Sequence, residues 1–365
     1  MQRRQFFVAT FLVGIVRTAL AADEAVPVVD PTYRPLAPHR LLALLHAPEV
    51  HAELKLSEEQ VAQLETWFAE VDGPWFRSRI QSDEIRLAEL DRLESATRAW
   101  LAANCTPAQQ QRVLQLEWQS LGPRLLLRND LARALGATAD QQREFATLAA
   151  QNDETVREAT QAKAAGDAAD DATVTVIDES AAVRSILTPE QQAKLGEVVG
   201  PLFDTRALRR IYPMAPELVP CDVWINSAPM TLAALRGQVV LVHFYAFQCS
   251  NCHANFDIYR RWHQTLRERG VVVLGIQTPE TATERDPDAV RRAATERGLE
   301  FPIVVDLESA NWKAWGNTMW PTVYVVDKRG YIRHWWQGEL NWQGATGDAT
   351  IEEIVESALA EAGPG

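Results

Sequence analysis

The chain has 365 residues, of which 47% are hydrophobic and 23% are charged, and its formal net charge is −13. These values are typical of globular proteins, and the length is sufficient for two or three domains. The negative charge disfavours binding to nucleic acid. Four cysteines are too few for a disulfide-built scaffold.

Residues 1–21 have the pattern of an export signal. Arg3 and Arg4 precede an apolar segment, and the small residues Ala19 and Ala21 predict cleavage after about Ala21. The arginine pair resembles the twin-arginine signal, which exports folded proteins, and a general secretory signal is the alternative. Either signal predicts a periplasmic or otherwise exported protein with no stable membrane span after cleavage.

Residues 22–40 are predicted to be extended, and residues 41–212 have helical periodicity. A hydroxyl residue followed three positions later by glutamine occurs four times in the helical region. This spacing is typical of a capping box, in which each side chain bonds the other residue's backbone N–H. The four pairs are Ser57 and Gln60, Thr106 and Gln109, Thr138 and Gln141, and Thr188 and Gln191.

The spacing of these boxes predicts an internal repeat of a helical unit. Ser57 and Thr106 are 49 residues apart, and Thr138 and Thr188 are 50 residues apart. The segments LKLSEEQ and LTPEQQAKL resemble the LTxxQ-motif family of periplasmic helical proteins, which includes stress chaperones and metal-responsive regulators. The resemblance implies chaperone-like client binding as one interpretation, and we favour a helical scaffold or a dimerisation arm over it.

Cys249 and Cys252 lie between a predicted buried strand, VVLVHFYAFQ, and a segment with helical spacing of apolar residues. Unpaired N–H groups and the dipole at the start of a helix stabilise a thiolate and lower the pKa of the first cysteine. The second cysteine is close enough to attack a mixed disulfide formed by the first. This placement predicts thiol–disulfide exchange.

Strand-like and helix-like segments alternate after Cys252, and a proline-containing connector at 213–221 separates them from the helical region. We therefore expect an α+β protein with an all-α domain followed, over residues 222–365, by a mixed sheet covered on both faces. The predicted strands are VVVLGI at 271–276, FPIVVD at 301–306, PTVYVVD at 321–327 and YIRHWWQG at 331–338.

The order of these motifs around CSNC and MWPTVYVVDKRGYIR resembles the thioredoxin superfamily over about residues 222–345. The resemblance is strongest to its TlpA-like or redoxin (AhpC/TSA-like) branch, including exported domains of DipZ type. It implies a thioredoxin-like α/β domain in which Cys249 is the nucleophile, Cys252 resolves the mixed disulfide and Pro321 is a cis-proline facing the disulfide. It also implies that Trp320 and Thr322 contact an incoming substrate strand.

Three residues bear on the redox chemistry. Glu280 resembles the buried acid that some members keep near the thiols, and a solvated loop residue is the alternative. His243 stands where many thioredoxins carry a buried acid, and we expect a neutral core histidine there rather than a proton acceptor. Gln248 replaces the tryptophan common before the first cysteine, and the dipeptide Ser250-Asn251 between the cysteines does not indicate a redox potential, so the direction of exchange is not predicted.

Other chemistries are open to the same residues. The sequence from Cys249 to His253 also fits the Cys-x-x-Cys-His pattern of covalent c-type haem. A thiol peroxidase is disfavoured by Ala246, and zinc binding lacks a second ligand pair, so we expect no metal and no cofactor. Cys105 and Cys221 are candidates for a structural disulfide, and two unpaired thiols are the alternative.

Together these patterns predict an exported thiol–disulfide oxidoreductase that exchanges disulfides with protein substrates and with an electron-transfer partner. The helical domain would provide partner binding or homodimerisation. The alternative is a helical chaperone-like or binding protein with an accessory thioredoxin-fold domain.

Overall fold

The computed structural model describes residues 28–165, 175–206, 208 and 212–363. The predicted export signal at residues 1–21 lies outside this part of the chain. Among the described residues, no helix has both the length and the apolar character needed to cross a membrane.

The described part of the chain before residue 212 is helical, as the periodicity predicts. Residues 28–40 are extended at Val29, which forms a β-bridge with Arg128, but they also contain a 3₁₀ turn at Arg34–Leu36. The helices are α1 Leu41–Leu45, α2 Pro48–Glu53, α3 Glu58–Ser78, α4 Asp83–Asn104, α5 Pro107–Ser120, α6 Asn129–Leu135, α7 Ala139–Ala165, α8 Glu179–Ile186 and α9 Pro189–Val198.

All four predicted capping boxes form, at the starts of α3, α5, α7 and α9. Their glutamine amides also join the helix starts in pairs. The amide of Gln60 donates to the carbonyl of Asn104 at 2.8 Å, and that of Gln109 donates to Leu54 at 3.3 Å. Because the amides of Gln60 and Gln109 also bond each other at 3.1 Å, the start of α3 is bonded to that of α5. In the second pair, Gln141 donates to Ile186 at 2.8 Å and Gln191 donates to Gly136 at 2.9 Å.

The C-terminal part contains a six-stranded mixed sheet in the order β1-β4-β3-β2-β5-β6. The central strand β2 is parallel to β3 and antiparallel to β5, and all of its residues are buried. The strands are β1 Trp224–Ile225, β2 Val239–Tyr245, β3 Val271–Gln277, β4 Ile303–Val305, β5 Thr322–Val326 and β6 Ile332–Gln337. The helices are α10 Ser250–Leu266, α11 Pro287–Glu296, α12 Ala310–Ala314 and α13 Gly347–Ala360.

Helices from both parts of the chain cover the sheet. On one face, apolar residues of α10 and α13 pack against alternate residues of β2, β3 and β5. On the other face, Phe76 of α3 joins Trp315 and Tyr324 in a single core. Phe76 is only 6% exposed, and its ring lies edge-on to Trp335 at 5.4 Å. The helical part therefore supplies part of the second layer of the sheet.

The predicted connector at 213–221 also bonds to both parts. The backbone N–H of Met214 donates to a carboxylate oxygen of Asp72 in α3 at 2.7 Å. The N–H of Ala215 donates to the carbonyl of Gly330, between β5 and β6, at 2.9 Å. Because Met214 is buried in the core formed by α1 to α5, the connector fixes the helices against the β5–β6 hairpin.

Candidate active site

Cys249 and Cys252 lie where β2 leads into α10, as the sequence predicts. Cys249 is the N-cap of α10, and its sulfur accepts the backbone N–H of Cys252 at 3.2 Å. The two residues form a disulfide, with their Cα atoms 5.3 Å apart. Cys252 is fully buried and Cys249 is partly exposed, so an attacking thiolate reaches the sulfur of Cys249 first.

The same geometry favours a thiolate on Cys249 when the pair is reduced. The N-cap sulfur receives an N–H donor and lies at the positive end of the dipole of a 17-residue helix. Both effects stabilise negative charge on sulfur. Cys249 is therefore placed to act as the nucleophile, and the buried Cys252 is placed to attack Cys249 from within the same helical turn.

Pro321 lies at the same edge of the sheet as the disulfide, and the Trp320–Pro321 peptide is cis. Phe244 of β2 pairs with Thr322 of the antiparallel β5. The residue before β5 therefore lies beside the end of β2, shortly before Cys249. The carbonyl of Pro321 accepts the N–H of Gly338 at 2.8 Å, which fixes this loop to the end of β6.

The two predicted substrate-binding residues differ in exposure. Trp320 is partly exposed and stacks on Trp312, with ring centroids 4.1 Å apart. Thr322 is buried, and its hydroxyl donates to the carbonyl of Met319 at 2.8 Å. The side chain of Thr322 therefore closes the loop and is not presented to a substrate, contrary to the prediction. Met319, which is not among the predicted site residues, is exposed beside Trp320.

The prediction that Glu280 is the buried acid is wrong, because Glu280 is exposed and Glu284 is 0% exposed. One oxygen of Glu284 accepts the N–H of Gln248 at 2.7 Å. Its other oxygen accepts the N–H groups of Glu280 at 2.7 Å and Thr281 at 2.9 Å. Glu284 therefore holds the residue before Cys249 against the loop that follows β3. The capping-box spacing from Thr281 to Glu284 is the sequence signal that could have identified it.

His243 is a neutral core histidine, as predicted. Its ring stacks on that of Tyr259 at 4.0 Å and lies 5.0 Å from that of Tyr245. Burial lowers the pKa of His243 to about 3. Neither ring nitrogen has a hydrogen-bond partner among the described residues. His243 is thus uncharged at neutral pH and takes no part in a proton relay built from the described side chains.

The ring nitrogens of His253 are both engaged by protein groups. Its Nε2 bonds the carbonyl of Phe247 at 2.6 Å, and its Nδ1 lies 3.2 Å from a guanidinium nitrogen of Arg297. An axial-ligand role would require the imidazole to leave these partners, so the geometry does not favour the haem interpretation. In the described ranges, no three His, Cys, Asp or Glu residues are grouped so that they could hold a metal ion.

Cys105 and Cys221 do not form the candidate structural disulfide, because both are free thiols in separate cores. Cys105 is buried among the helices α1 to α5. Cys221 accepts a hydrogen bond from the side chain of Asn311 at 3.4 Å. Burial raises the pKa of both thiols, to about 11 at Cys221 with a contribution from Asp306, so neither is a reactive thiolate at neutral pH.

Glu284→Gln should lower the free energy of unfolding by about 1–3 kcal/mol, because the amide nitrogen would face a buried N–H that now bonds a carboxylate oxygen. Urea unfolding measures this change. The matched control is Glu280→Gln, at an exposed position, which should change stability by less than about 0.5 kcal/mol. Equal effects of the two substitutions would contradict the assignment of Glu284.

His243 should make the protein less stable as the pH falls from neutrality. The folded-state pKa is about 3 and the ordinary value is 6.5, so the unfolded chain binds the additional proton between these values. Between pH 7 and pH 5, the free energy of unfolding should fall by about 2 kcal/mol less in His243→Phe than in the wild type. Urea unfolding at each pH tests this, with Tyr259→Phe as the control that retains the wild-type dependence. A wild-type pH dependence in His243→Phe would refute the expectation.

Comparison with known proteins supports this description of the C-terminal part. Residues 222–335 match the model of the AhpC/TSA family. The chain is 36% identical over 155 residues to the protein DipZ of Mycobacterium bovis, an alignment that covers 41% of this chain and 21% of DipZ. It is 26% identical over 146 residues to the thiol-disulfide oxidoreductase YkuV of Bacillus subtilis, covering 40% of this chain and 94% of YkuV.

Among solved structures, the thioredoxin-like superfamily protein SPOA0173 aligns with 25% identity and a TM-score of 0.38, covering 41% of this chain and 99% of that protein. In the alignment with DipZ, at 36% identity, the chain spans only about a fifth of the length of DipZ. The family match, the order of the strands, the disulfide at the start of α10 and the cis-proline before β5 agree with one another. Residues 222–335 therefore form a thioredoxin-like domain that matches the AhpC/TSA family.

Proposed function

We propose that the protein is an exported thiol–disulfide oxidoreductase that exchanges disulfides with protein substrates through Cys249 and Cys252. The observation that carries the proposal is the disulfide at the start of α10, which exposes Cys249, buries Cys252 and lies at the same sheet edge as cis-Pro321. The likeness of residues 222–335 to a family that includes redox proteins, and of the chain to YkuV, supports the same chemistry.

In the reducing direction, the thiolate of Cys249 attacks one sulfur of a substrate disulfide. The substrate S–S bond breaks, and the departing substrate sulfur takes up a proton. The thiolate of Cys252 then attacks the sulfur of Cys249, which forms the Cys249–Cys252 bond and releases the second substrate thiol. Two electrons and two protons pass from the cysteine pair to the substrate. A dithiol partner protein would return the pair to the reduced state, and the reverse sequence would oxidise a substrate.

The surface around Cys249 supports a protein substrate rather than a small thiol alone. A groove of about 350 Å³ is lined by Asn251, which lies inside the Cys-x-x-Cys segment, and by Trp336 and Trp342. Trp342 is 59% exposed. On the loop before β5, Met319 and Trp320 provide further apolar surface. Apolar side chains that flank the cysteine of a substrate would gain burial at these positions.

Cys249→Ser should abolish reduction of a protein disulfide such as insulin, because the nucleophile is lost. Cys252→Ser should retain Cys249 and accumulate a mixed disulfide, visible on a non-reducing gel and by intact mass. Cys105→Ser and Cys221→Ser are controls and should keep wild-type rates. Reductase activity that survives Cys249→Ser would refute the proposal. If the helical domain has a chaperone-like function, the Cys249→Ser variant should still suppress the aggregation of client proteins.

We also propose that residues 1–21 direct export by the twin-arginine route and are then removed. Residues 41–212 would form a helical domain with an internal repeat, joined by the connector at 213–221 to the redox domain. Replacement of both Arg3 and Arg4 by lysine should leave the full-length precursor in the cytoplasm, as measured by fractionation and N-terminal sequencing. Continued export of this double variant would point to the general secretory route.

A further inference from the structure

Side chains at the C-terminal end of α3 donate hydrogen bonds to the chain segment that leads into the cis-proline loop. Arg77 donates to the carbonyl of Ala314 at 3.0 Å. Arg79 donates to the carbonyls of Trp315 at 3.3 Å and Gly316 at 3.1 Å. These carbonyls lie five to seven residues before Pro321. Two arginines of the helical domain therefore hold the start of the loop that carries Trp320 and Pro321.

The carbonyls that these arginines bond need donors from outside their own helix. Helix α12 ends at Ala314, Trp315 is its C-cap, and Gly316 adopts a left-handed conformation with φ of 60°. The last carbonyls of a helix have no intrahelical partner. A guanidinium is well suited to this position, since it presents several donors in a fixed plane and its charge opposes the negative end of the helix.

Arg79 is itself held in place by neighbouring groups. It follows the last residue of α3, and it donates to the carbonyl of Phe76 at 2.6 Å. Its guanidinium carbon lies 3.5 Å from the centroid of the Phe76 ring, which is buried against the sheet. Another of its contacts is the hydroxyl of Tyr324 in β5, at 3.4 Å. These contacts fix the orientation of the planar donor group.

Further contacts carry the constraint along the loop. The hydroxyl of Tyr324 donates to the side chain of Asn317 at 2.8 Å. Trp320 stacks on Trp312, and the hydroxyl of Thr322 closes the turn at Met319. Among the described residues, the side-chain hydrogen bonds of Arg79 involve residues 76, 315, 316 and 324 and do not involve Cys249 or Cys252. Arg79 thus contacts the loop without contacting the reacting sulfurs.

We propose that Arg79 is a positioning residue through which the helical domain orders the Trp320–Pro321 loop for protein substrates. This inference rests on the proposed oxidoreductase function, and it assigns the helical domain a direct part in that function. An ordered loop binds a protein substrate without a further entropic cost, whereas a loosened loop must be ordered at each encounter. Arg79 should therefore affect the binding of protein substrates and leave the sulfur chemistry unchanged.

The test compares the full-length wild type with Arg79→Ala and Arg79→Lys. Arg92→Ala is the matched control, because Arg92 is an exposed arginine of α4 that pairs with Glu89 in its own helix. For each protein, kcat and KM are measured with insulin and with oxidised glutathione. The equilibrium of the cysteine pair with glutathione is also measured.

Arg79→Ala should raise KM for insulin about five- to tenfold, the size expected from loss of charge-assisted hydrogen bonds to an ordered loop. The kinetics with oxidised glutathione and the equilibrium constant with glutathione should stay within about twofold of wild type. Arg79→Lys should recover part of the loss, because lysine keeps the charge but not the planar set of donors. Arg92→Ala should match the wild type.

An unchanged KM for insulin in Arg79→Ala would overturn the inference. An equal rise in KM for insulin and for oxidised glutathione, or a shifted equilibrium constant with glutathione, would also overturn it. If Arg79→Ala does not fold, the test uses Arg79→Lys. Its KM relative to wild type is then compared between insulin and oxidised glutathione. A folded wild type that reduces no protein disulfide would overturn the proposed function and this inference with it. An active wild type with an unaffected Arg79→Ala variant would overturn this inference alone.

Discussion

The antiparallel pairing of β2 with β5 determines where the chemistry of this protein can occur. The two strands run in opposite directions, so the end of β2 and the start of β5 meet at one edge of the sheet. Cys249 follows the first, and cis-Pro321 precedes the second. The register is fixed because β2 is buried on both faces, and a shift of one residue would exchange the side chains that enter the two cores.

The surroundings of the disulfide limit which groups can move protons there. His243 is uncharged and surrounded by aromatic rings, and the carboxylate of Glu284 accepts three backbone N–H groups near Gln248. Both side chains therefore serve the structure of the site. At the start of α10, the N–H of Cys252 and the helix dipole provide backbone groups that stabilise a thiolate on Cys249.

The sequence predicts what depends on local order and misses what depends on distant contacts. The cysteine pair, the central strand and the four capping boxes were predictable because each is defined by spacing within a few residues. Glu284 was missed in favour of Glu280 because the path of the loop decides which of two nearby acids is buried. The separation of Cys105 from Cys221 and the bonds of Arg79 to residues 236 and 237 positions away follow only from tertiary packing.

The position of Phe76 has a consequence for how the chain can be divided. The match to the AhpC/TSA family begins at residue 222, but the sheet that follows is covered in part by a side chain from α3. A fragment that began at residue 222 would expose the rings of Tyr324 and Trp335 to water. An isolated C-terminal fragment would therefore need a substitute for the part of α3 that covers this face of the sheet.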